Sequence, residues 1–254
     1  EKIIWQHNDM ILDRERNING NKPLFVPLSA VFSTYKYYDK LISASEEVMK
    51  INIRNFPDIP IERFYYAHNT LDFNRIKTLS VRESDVLIDK SKINFVNNGR
   101  LSQAKNQTAL IHTFNKFSEE NPQCELYIVG DGELKGELEQ IAGEHVHLVG
   151  FKSNPFSLMK ECDYFIFPSL YEGQGISLLE ARVLGLPIVV SDLPKMKGIF
   201  LPDKSAQYNI KGFSEEHILN GLNACLNGEV LSYPFDAEKY NIESYKEFEE
   251  VICE

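Results

Sequence analysis

The chain has 254 residues, of which 43% are hydrophobic, and its formal net charge at pH 7 is −10. This length allows one large domain or two smaller ones, and the apolar fraction excludes wholesale disorder. The acidic balance excludes broad binding to nucleic acid or to anionic lipid, because both need a basic face, although a local cationic pocket remains allowed.

Residues 1–77 alternate between strand and helix patterns, which predicts a partial N-terminal α/β domain. Strands are predicted at Lys2–His7, Leu41–Ser45 and Arg63–Ala67, and helices at Leu24–Tyr38 and Glu46–Ile53. Three strands are few for a doubly wound sheet, so we interpret this region as the second half of a domain. The chain starts with Glu1 directly before an apolar run, which suggests a processed chain, an engineered chain or a piece of a longer protein.

Residues 78–92 are polar and charged and are predicted to link two domains. The α/β alternation restarts over residues 93–236, where continuous apolar runs indicate a parallel sheet buried on both faces. Strands are predicted at Ile93–Asn97, Glu125–Gly130, Val146–Gly150, Tyr164–Phe167 and Pro187–Ser191, and helices at Gln107–Glu119, Leu134–Ile141, Pro155–Glu161 and Ser214–Leu226. Residues 237–254 contain an acidic helix, Glu243–Ile252, that could pack back on the first domain.

A glycine-rich turn that opens a helix is the most informative feature of the second domain. It lies within Ser169–Pro187 and directly follows a predicted buried strand. The first N–H groups of such a helix and the positive end of its dipole attract phosphate, which predicts an anion at this turn. Gly173 and Gly175 allow the backbone to come close to a ligand that a Cβ would push away.

Two cations and two carboxylates complete the candidate site. Arg100 and Lys105 follow the strand Ile93–Asn97, at the carboxyl end where open α/β sheets bind ligands. Both side chains suit phosphate oxygens, although solvated loop cations are the common alternative. Glu172 and Glu180 flank the turn, and carboxylates accept hydrogen bonds from sugar hydroxyls. Their alternatives are a solvated loop carboxylate and an acid stabilised by the helix dipole.

These segments resemble retaining glycosyltransferases of the GT-B fold, family 4 (glycosyl transferases group 1). Glu172 and Glu180 match the E-x7-E signature of that family, and the stretch from Gly99 to Lys105 resembles its GRL-x-x-x-K motif. Three further segments are similar to the family's glycine turn, its base-binding segment and its donor site: LYIVGDGELKGELEQI, VHLVGF and FPSLYEGQGISLLEARVLGLPIVVSD. Residues 41–227 follow the family pattern in order.

The resemblance implies a role for each candidate residue. The donor diphosphate would be held by Gly99, Arg100 and Lys105 and by the amides of the turn, which includes Gly173, Gly175, Ile176 and Ser177. Glu180 would bind the ribose hydroxyls, and Glu172 would contact the donor sugar or lie beside its anomeric carbon. Phe151 and Lys152 would lie by the base, and His7 would face the donor.

The implied reaction moves a sugar from a nucleoside-diphosphate donor to an acceptor hydroxyl and keeps the anomeric configuration. A UDP-sugar is the expected donor, and the expected acceptor is a glycan, a lipid-linked molecule or a polymer in bacterial surface polysaccharide or glycoconjugate synthesis. The family needs no metal or other cofactor, and neither is expected here. Peripheral association with a membrane, through a part of the protein that precedes Glu1, is allowed.

Two alternatives stay open. A sugar-nucleotide 2-epimerase on the same fold would need extra acid–base side chains in the cleft. A non-catalytic fragment or accessory subunit would bind nucleotide without transferring sugar, and the short first domain favours it. His145 and His147 lie on one side of a strand, where a packed pair is expected rather than a metal site. The scattered cysteines without CxxC spacing favour a reducing compartment, so the cytoplasm is the expected location, with the inner face of the membrane as the alternative.

Overall fold

The computed structural model of the chain describes residues 1–15, 21–192 and 208–253. Within these residues the strands form two parallel sheets, one of three strands and one of six. The predicted α/β class with parallel sheets is therefore confirmed. Helices lie between successive strands in both sheets, as parallel pairing requires, and the connection between the last two strands of the larger sheet lies outside the described residues.

The three-stranded sheet is built from the N-terminal part of the chain. Its strands β1 (Ile3–Gln6), β2 (Lys40–Ser43) and β3 (Phe64–Tyr66) pair in parallel in that order. The helices between them are α1 (Met10–Glu15), α2 (Phe25–Thr34) and α3 (Glu46–Asn55). Ser45 caps α3, because its Oγ accepts a hydrogen bond from the N–H of Val48 at 3.4 Å.

The next helix was not predicted. α4 (Phe73–Ser80) begins after Asp72, whose Oδ1 accepts a hydrogen bond from the N–H of Arg75 at 3.0 Å. Its last three residues belong to the stretch predicted as linker. Ile76 is buried in the core of the six-stranded sheet, and Leu79 packs against that core. Two inward apolar side chains in eight residues are too few to give a helical period in the sequence.

The six-stranded sheet follows α4. Its strands are β4 (Ile93–Asn98), β5 (Cys124–Val129), β6 (Val146–Gly150), β7 (Tyr164–Phe167), β8 (Ile188–Ser191) and β9 (Tyr208–Ile210). The helices are α5 (Gln107–Glu120), α6 (Lys135–Ile141), α7 (Phe156–Glu161), α8 (Ile176–Val183), α9 (Glu215–Leu226) and α10 (Ala237–Cys253). The short strand β9 was not predicted, since three residues carry no usable alternation.

The strand order is β6-β5-β4-β7-β8-β9, and all pairs are parallel. The chain proceeds outward from β4 in one direction and then returns to place β7 on its other side. The loops after β4 and β7 therefore diverge, and a crevice opens at their carboxyl ends. In open α/β sheets this is where ligands bind.

Both faces of the larger sheet are buried. Phe95 on β4 packs into one hydrophobic cluster and its neighbour Val96 packs into the cluster on the opposite face. This explains why the strands read as continuous apolar runs. Cys124, Cys162 and Cys225 are buried free thiols, whereas Cys253 is exposed.

The last helix, α10, lies against the three-stranded sheet and contacts β3. The ring of Phe248 lies 5.8 Å from that of Trp5, and the Nζ of Lys40 donates a hydrogen bond to the carbonyl of Val251 at 2.5 Å. The helix starts six residues before the predicted one, at Ala237. None of the helices in the described ranges has the length and apolar character that crossing a membrane requires.

Candidate functional site

A cleft of about 630 Å³ opens at the crevice between β4 and β7. It is bordered by the loops after β4, β5 and β6, by α4, and by one side chain of α8. Of the predicted site residues, it brings together Gly99, Arg100, Phe151, Lys152 and Glu180. Residues from five separate parts of the chain thus meet where the topology predicts a ligand.

A second cavity, of about 310 Å³, adjoins the cleft. Its lining includes Lys105, Glu172, Tyr171 and Asn8. Arg100 borders both cavities and so marks their junction. Glu172 borders the smaller cavity and Glu180 the larger cleft, whereas the predicted residues between them line neither: Gly173, Gly175, Ile176 and Ser177.

The loop that carries Arg100 is held by close backbone packing. Gly130 has a φ of 146°, and a Cβ on it would overlap the carbonyl oxygen of Gly99. The N–H of Leu101 donates to the carbonyl of Asp131 at 3.0 Å. The loop after β4 is therefore fixed against the loop after β5, and the position of Arg100 at the junction follows.

Lys105 and Glu172 form an ion pair between the Nζ and Oε1 atoms. The Oγ of Ser169 also donates to Oε1 of Glu172, at 3.0 Å, and the Nζ of Lys105 lies 5.0 Å from the centre of the Phe167 ring. Glu172 is only 9% exposed, so the alternative of a solvated loop carboxylate is wrong. No local pattern in the sequence indicates that these two candidates pair.

Glu180 lies at the wall of the larger cleft, where burial raises the pKa of its carboxyl to about 7. The Nδ2 of Asn98 approaches its Oε2 at 3.5 Å. Such a carboxyl group lacks the full hydration of a surface acid. It is therefore well placed to accept hydrogen bonds from hydroxyl groups in the cleft.

Two of the cations that line the larger cleft, Arg100 and Lys152, form ion pairs with acidic side chains. The Nε of Arg100 donates to Glu133 at 3.0 Å, and the Nζ of Lys152 donates to Asp85 at 2.7 Å. Phe151 is 73% exposed, so its ring is open to a planar group. Exposed ion pairs of this kind are weak, and a bound anion can compete with them at little cost.

Gly175 forms the N-cap of α8 with a φ of 71°, and no side chain in the described residues caps the helix there. The amides of Ile176 and Ser177 belong to the first turn, whose N–H groups lack an intrahelical acceptor. The group that approaches Gly173 closely differs from the predicted one. A Cβ on it would overlap the main-chain oxygen of His7, so the close approach is to the first domain and not to a ligand.

His7 does not line either cavity. Its side chain is exposed, and its ring centre lies 6.3 Å from that of Trp5. Asn8, the next residue, borders the smaller cavity instead. Asn98 and Arg75, which border the larger cleft, were also missed. The consecutive polar residues at the end of β4 were a signal for Asn98, but α4 had to be recognised before Arg75 could be placed.

Three other histidines contact glutamate side chains. His145 and His147 each contact a different oxygen of Glu125, at 3.0 and 2.8 Å. The Nδ1 of His68 contacts Glu247 on α10 at 2.8 Å. These contacts agree with the interpretation of His145 and His147 as a packed pair, and the His68 contact holds α10 to the end of β3.

Residues 82–244 match the family model described as Glycosyl transferases group 1. An uncharacterized glycosyltransferase of Methanocaldococcus jannaschii is 30% identical over 198 residues, which are 75% of this chain and 48% of that protein. The N-acetylgalactosamine-N,N'-diacetylbacillosaminyl-diphospho-undecaprenol 4-alpha-N-acetylgalactosaminyltransferase of Campylobacter jejuni is 26% identical over 78% of this chain and 53% of its own length. The chain thus spans about half the length of these relatives.

Solved structures agree on the fold. HepE of Anabaena, in complex with UDP and glucose, superposes with a TM-score of 0.75 at 16% identity, covering 99% of this chain and 70% of HepE. TarM of S. aureus, in complex with Fondaparinux, alpha-GlcNAc-glycerol and UDP, gives 0.66 at 16% identity, covering 94% of this chain and 46% of TarM. The expected GT-B type of α/β fold is confirmed by these neighbours.

Proposed function

Because the chain belongs to the glycosyl transferases group 1 family, we propose that it binds a nucleoside-diphosphate sugar and transfers the sugar to an acceptor hydroxyl with retention of the anomeric configuration. The observation that carries this proposal is the position of Arg100 at the junction of two cavities, one bordered by Glu180 and the other by Lys105 and Glu172. A diphosphate is the part of such a donor that joins a nucleoside to a sugar.

The order of side chains along the two cavities supports one orientation of the donor. The base lies at Phe151 and Lys152, and the ribose hydroxyls donate hydrogen bonds to Glu180. The diphosphate lies at Arg100 and Lys105, against Gly99 and the amides of Gly175, Ile176 and Ser177. The sugar then enters the smaller cavity beside Glu172.

Binding of the donor would also change the contacts of Glu172, because Glu172 forms an ion pair with Lys105. When the diphosphate takes Lys105 as its counterion, the carboxylate of Glu172 loses its strongest partner in the free chain. It becomes available to the sugar hydroxyls or to the positive charge that develops at the anomeric carbon. The acceptor oxygen forms a bond to that carbon, the bond to the phosphate oxygen breaks, and the acceptor proton passes to the departing oxygen on the same face.

Arg100 and Lys105 are proposed to neutralise the leaving diphosphate, so the reaction needs no metal or other cofactor. Preorganised cations at the position where negative charge develops are an effective form of catalysis. Domain closure over the two cavities would exclude water and favour transfer over hydrolysis.

We propose a UDP-sugar as the donor, since HepE and TarM are solved with UDP. A relative from Escherichia coli is a UDP-Gal:alpha-D-GlcNAc-diphosphoundecaprenol galactosyltransferase, and one from Staphylococcus aureus is a poly(ribitol-phosphate) N-acetylglucosaminyltransferase. These names support a lipid-linked or polymer acceptor in bacterial surface polysaccharide synthesis, at the inner face of the membrane.

A panel of UDP, GDP, ADP and CDP sugars tests the proposal by thermal shift, followed by transfer assays. UDP-sugars should raise the melting temperature by mass action, and Arg100→Ala should weaken that binding by about 1–3 kcal/mol, or roughly 5- to 150-fold. Arg54→Ala, an exposed change on α3, serves as the matched control. No response to any nucleotide sugar would contradict the donor site.

The same panel separates the alternatives. Binding without transfer to any acceptor would favour the non-catalytic module. Conversion of UDP-GlcNAc without an acceptor would favour the epimerase.

A further inference from the structure

The turn before α8 contains a buried amide side chain that neither cavity uses. Gln174 lies between Gly173 and Gly175 and is only 3% exposed. A buried primary amide has two acceptor positions and two donor hydrogens that need partners. Its partners therefore reveal what the turn is attached to.

Gln174 is attached to the connection between the two sheets. Its Oε1 accepts hydrogen bonds from the main-chain N–H of Asn69, at 2.8 Å, and from the Nδ2 of the same residue. Its Nε2 approaches the carbonyl of Asn69 at 3.4 Å. Asn69 lies between β3 and α4, where the chain passes from the first sheet to the second.

Gln174 is also attached to α10. Its Nε2 donates to the hydroxyl of Tyr240 at 2.5 Å, and that hydroxyl donates to the carbonyl of Asn69 at 3.0 Å. Burial raises the pKa of Tyr240 to about 12, so the phenol keeps its proton at neutral pH. The side chains of Gln174 and Tyr240 and the main chain of Asn69 form a closed ring of hydrogen bonds, which we call the Asn69–Gln174–Tyr240 ring.

The residues around Gln174 leave the turn little freedom. Gly173 packs on the main-chain oxygen of His7, and its own carbonyl lies 3.4 Å from the Oγ of Ser45. Glu172 precedes Gln174 by two residues, and the amide of Ile176 follows it by two. A shift of the ring would therefore move the carboxylate and the amides that face the donor.

We propose that Gln174 is a positioning residue, which transmits the placement of Asn69 and Tyr240 to the donor-site turn. This inference deepens the proposed function and rests on it for its kinetic consequences. Displacement of Asn69 or of Tyr240 from the ring would loosen the turn and displace Glu172 from the sugar. Sugar transfer would then depend on the arrangement of the two domains, without any direct contact of Gln174 with the substrates.

Two variants open the ring, and one matched control leaves it intact. Gln174→Leu removes all its hydrogen bonds at similar volume, and Tyr240→Phe removes a single hydroxyl with little risk to folding. Asn241→Ala is the control, because Asn241 holds α10 to the same connection through the N–H and carbonyl of Leu71, at 2.9 and 2.7 Å, without contacting Gln174.

The first readout is amide hydrogen exchange over residues 172–177, which needs no activity. The proposal predicts at least tenfold faster exchange in Gln174→Leu and Tyr240→Phe than in Asn241→Ala, with no difference in β5. The double variant should be no faster than Gln174→Leu alone, since both changes open one ring. Equal exchange in all three variants, or additive effects of the two ring changes, would overturn the positioning role.

The second readout is the split of kcat and KM for the donor. Both ring variants should lower kcat at least tenfold while the donor KM changes less than threefold, and Asn241→Ala should keep the parent kcat. Loss of kcat in proportion to the loss of folded protein in all three variants would indicate a merely structural role. If the parent chain transfers no sugar, the proposed function fails, and the exchange experiment still decides the positioning role by itself.

Discussion

Replacing Glu180 with glutamine should stabilise the free chain at alkaline pH and weaken its binding of nucleotide. The carboxyl is buried in the wall of the larger cleft, and its raised pKa means that the fold disfavours the ionised form. Glutamine has nearly the same shape and carries no charge. It can also keep the contact with the Nδ2 of Asn98 through its amide oxygen.

The size of the effect follows from the pKa. A rise from 4.5 to about 7 corresponds to about 3 kcal/mol, at roughly 1.4 kcal/mol per pKa unit. Below pH 4.5 both the folded and the unfolded chain hold the proton, so the substitution changes nothing. Between pH 4.5 and 7 only the unfolded chain ionises, and the free energy of unfolding falls as the pH rises. Above pH 7 the parent chain has lost about 3 kcal/mol that the variant keeps.

The assay compares melting temperatures of Glu180→Gln and the parent at pH 5 and pH 8. The gain in the free energy of unfolding, obtained from the rise in melting temperature, should be about 1 kcal/mol at pH 5 and about 3 kcal/mol at pH 8. Glu139→Gln, an exposed change on α6, controls for the loss of one charge. Calorimetry should show weaker UDP binding by about 1 kcal/mol, because the amide has one acceptor oxygen in place of two. An equal gain at both pH values, or undiminished UDP affinity, would refute the reasoning.

Three further substitutions test other parts of the site. Glu172→Gln should lower kcat far more than donor affinity, because in the proposed complex Lys105 pairs with the diphosphate and no longer with Glu172. Equal losses of kcat and of donor affinity would indicate a simple binding role. Lys105→Met should weaken UDP-sugar binding by about 1–3 kcal/mol in calorimetry, whereas the control Lys246→Met, at an exposed position, should not. Equal affinities of the two variants would show that Lys105 does not contact the donor. Gly173→Ala should lower the melting temperature, because the added methyl group would overlap the main-chain oxygen of His7. In the control Gly136→Ala the methyl group meets no atom within 4 Å, so this change should be neutral or stabilising. An unchanged melting temperature in Gly173→Ala would mean that the turn can move away from His7.

Local patterns were sufficient to predict most of the second sheet. Five of its strands were predicted from continuous apolar runs, and their parallel arrangement was predicted from the helices between them. The switch of direction between β4 and β7 then explains why Arg100, Lys105, Glu172 and Glu180 meet, although up to 80 residues separate them in the chain. The short elements α4 and β9 were not predicted, because each holds too few apolar side chains to show a period.

The details of the site depend on contacts between distant segments, which no local pattern contains. The pairing of Lys105 with Glu172 joins the loops after β4 and β7. The packing of Gly173 on His7 depends on how the two sheets meet, and so does the exposure of the His7 ring. Gln174 was not singled out in the sequence because a glutamine in a glycine turn suggests solvent exposure. Its burial is produced by α10, which returns from the far end of the chain.

The most direct test of the donor site is a titration of the isotope-labelled chain with UDP, followed by amide NMR. The proposed site predicts saturable shifts that are largest at residues 99–101 and 175–177, and a clear loss of affinity in Arg100→Ala. Shifts that cluster elsewhere, for example between α5 and α9, or shifts that Arg100→Ala leaves unchanged, would contradict the proposal that the two cavities share one diphosphate.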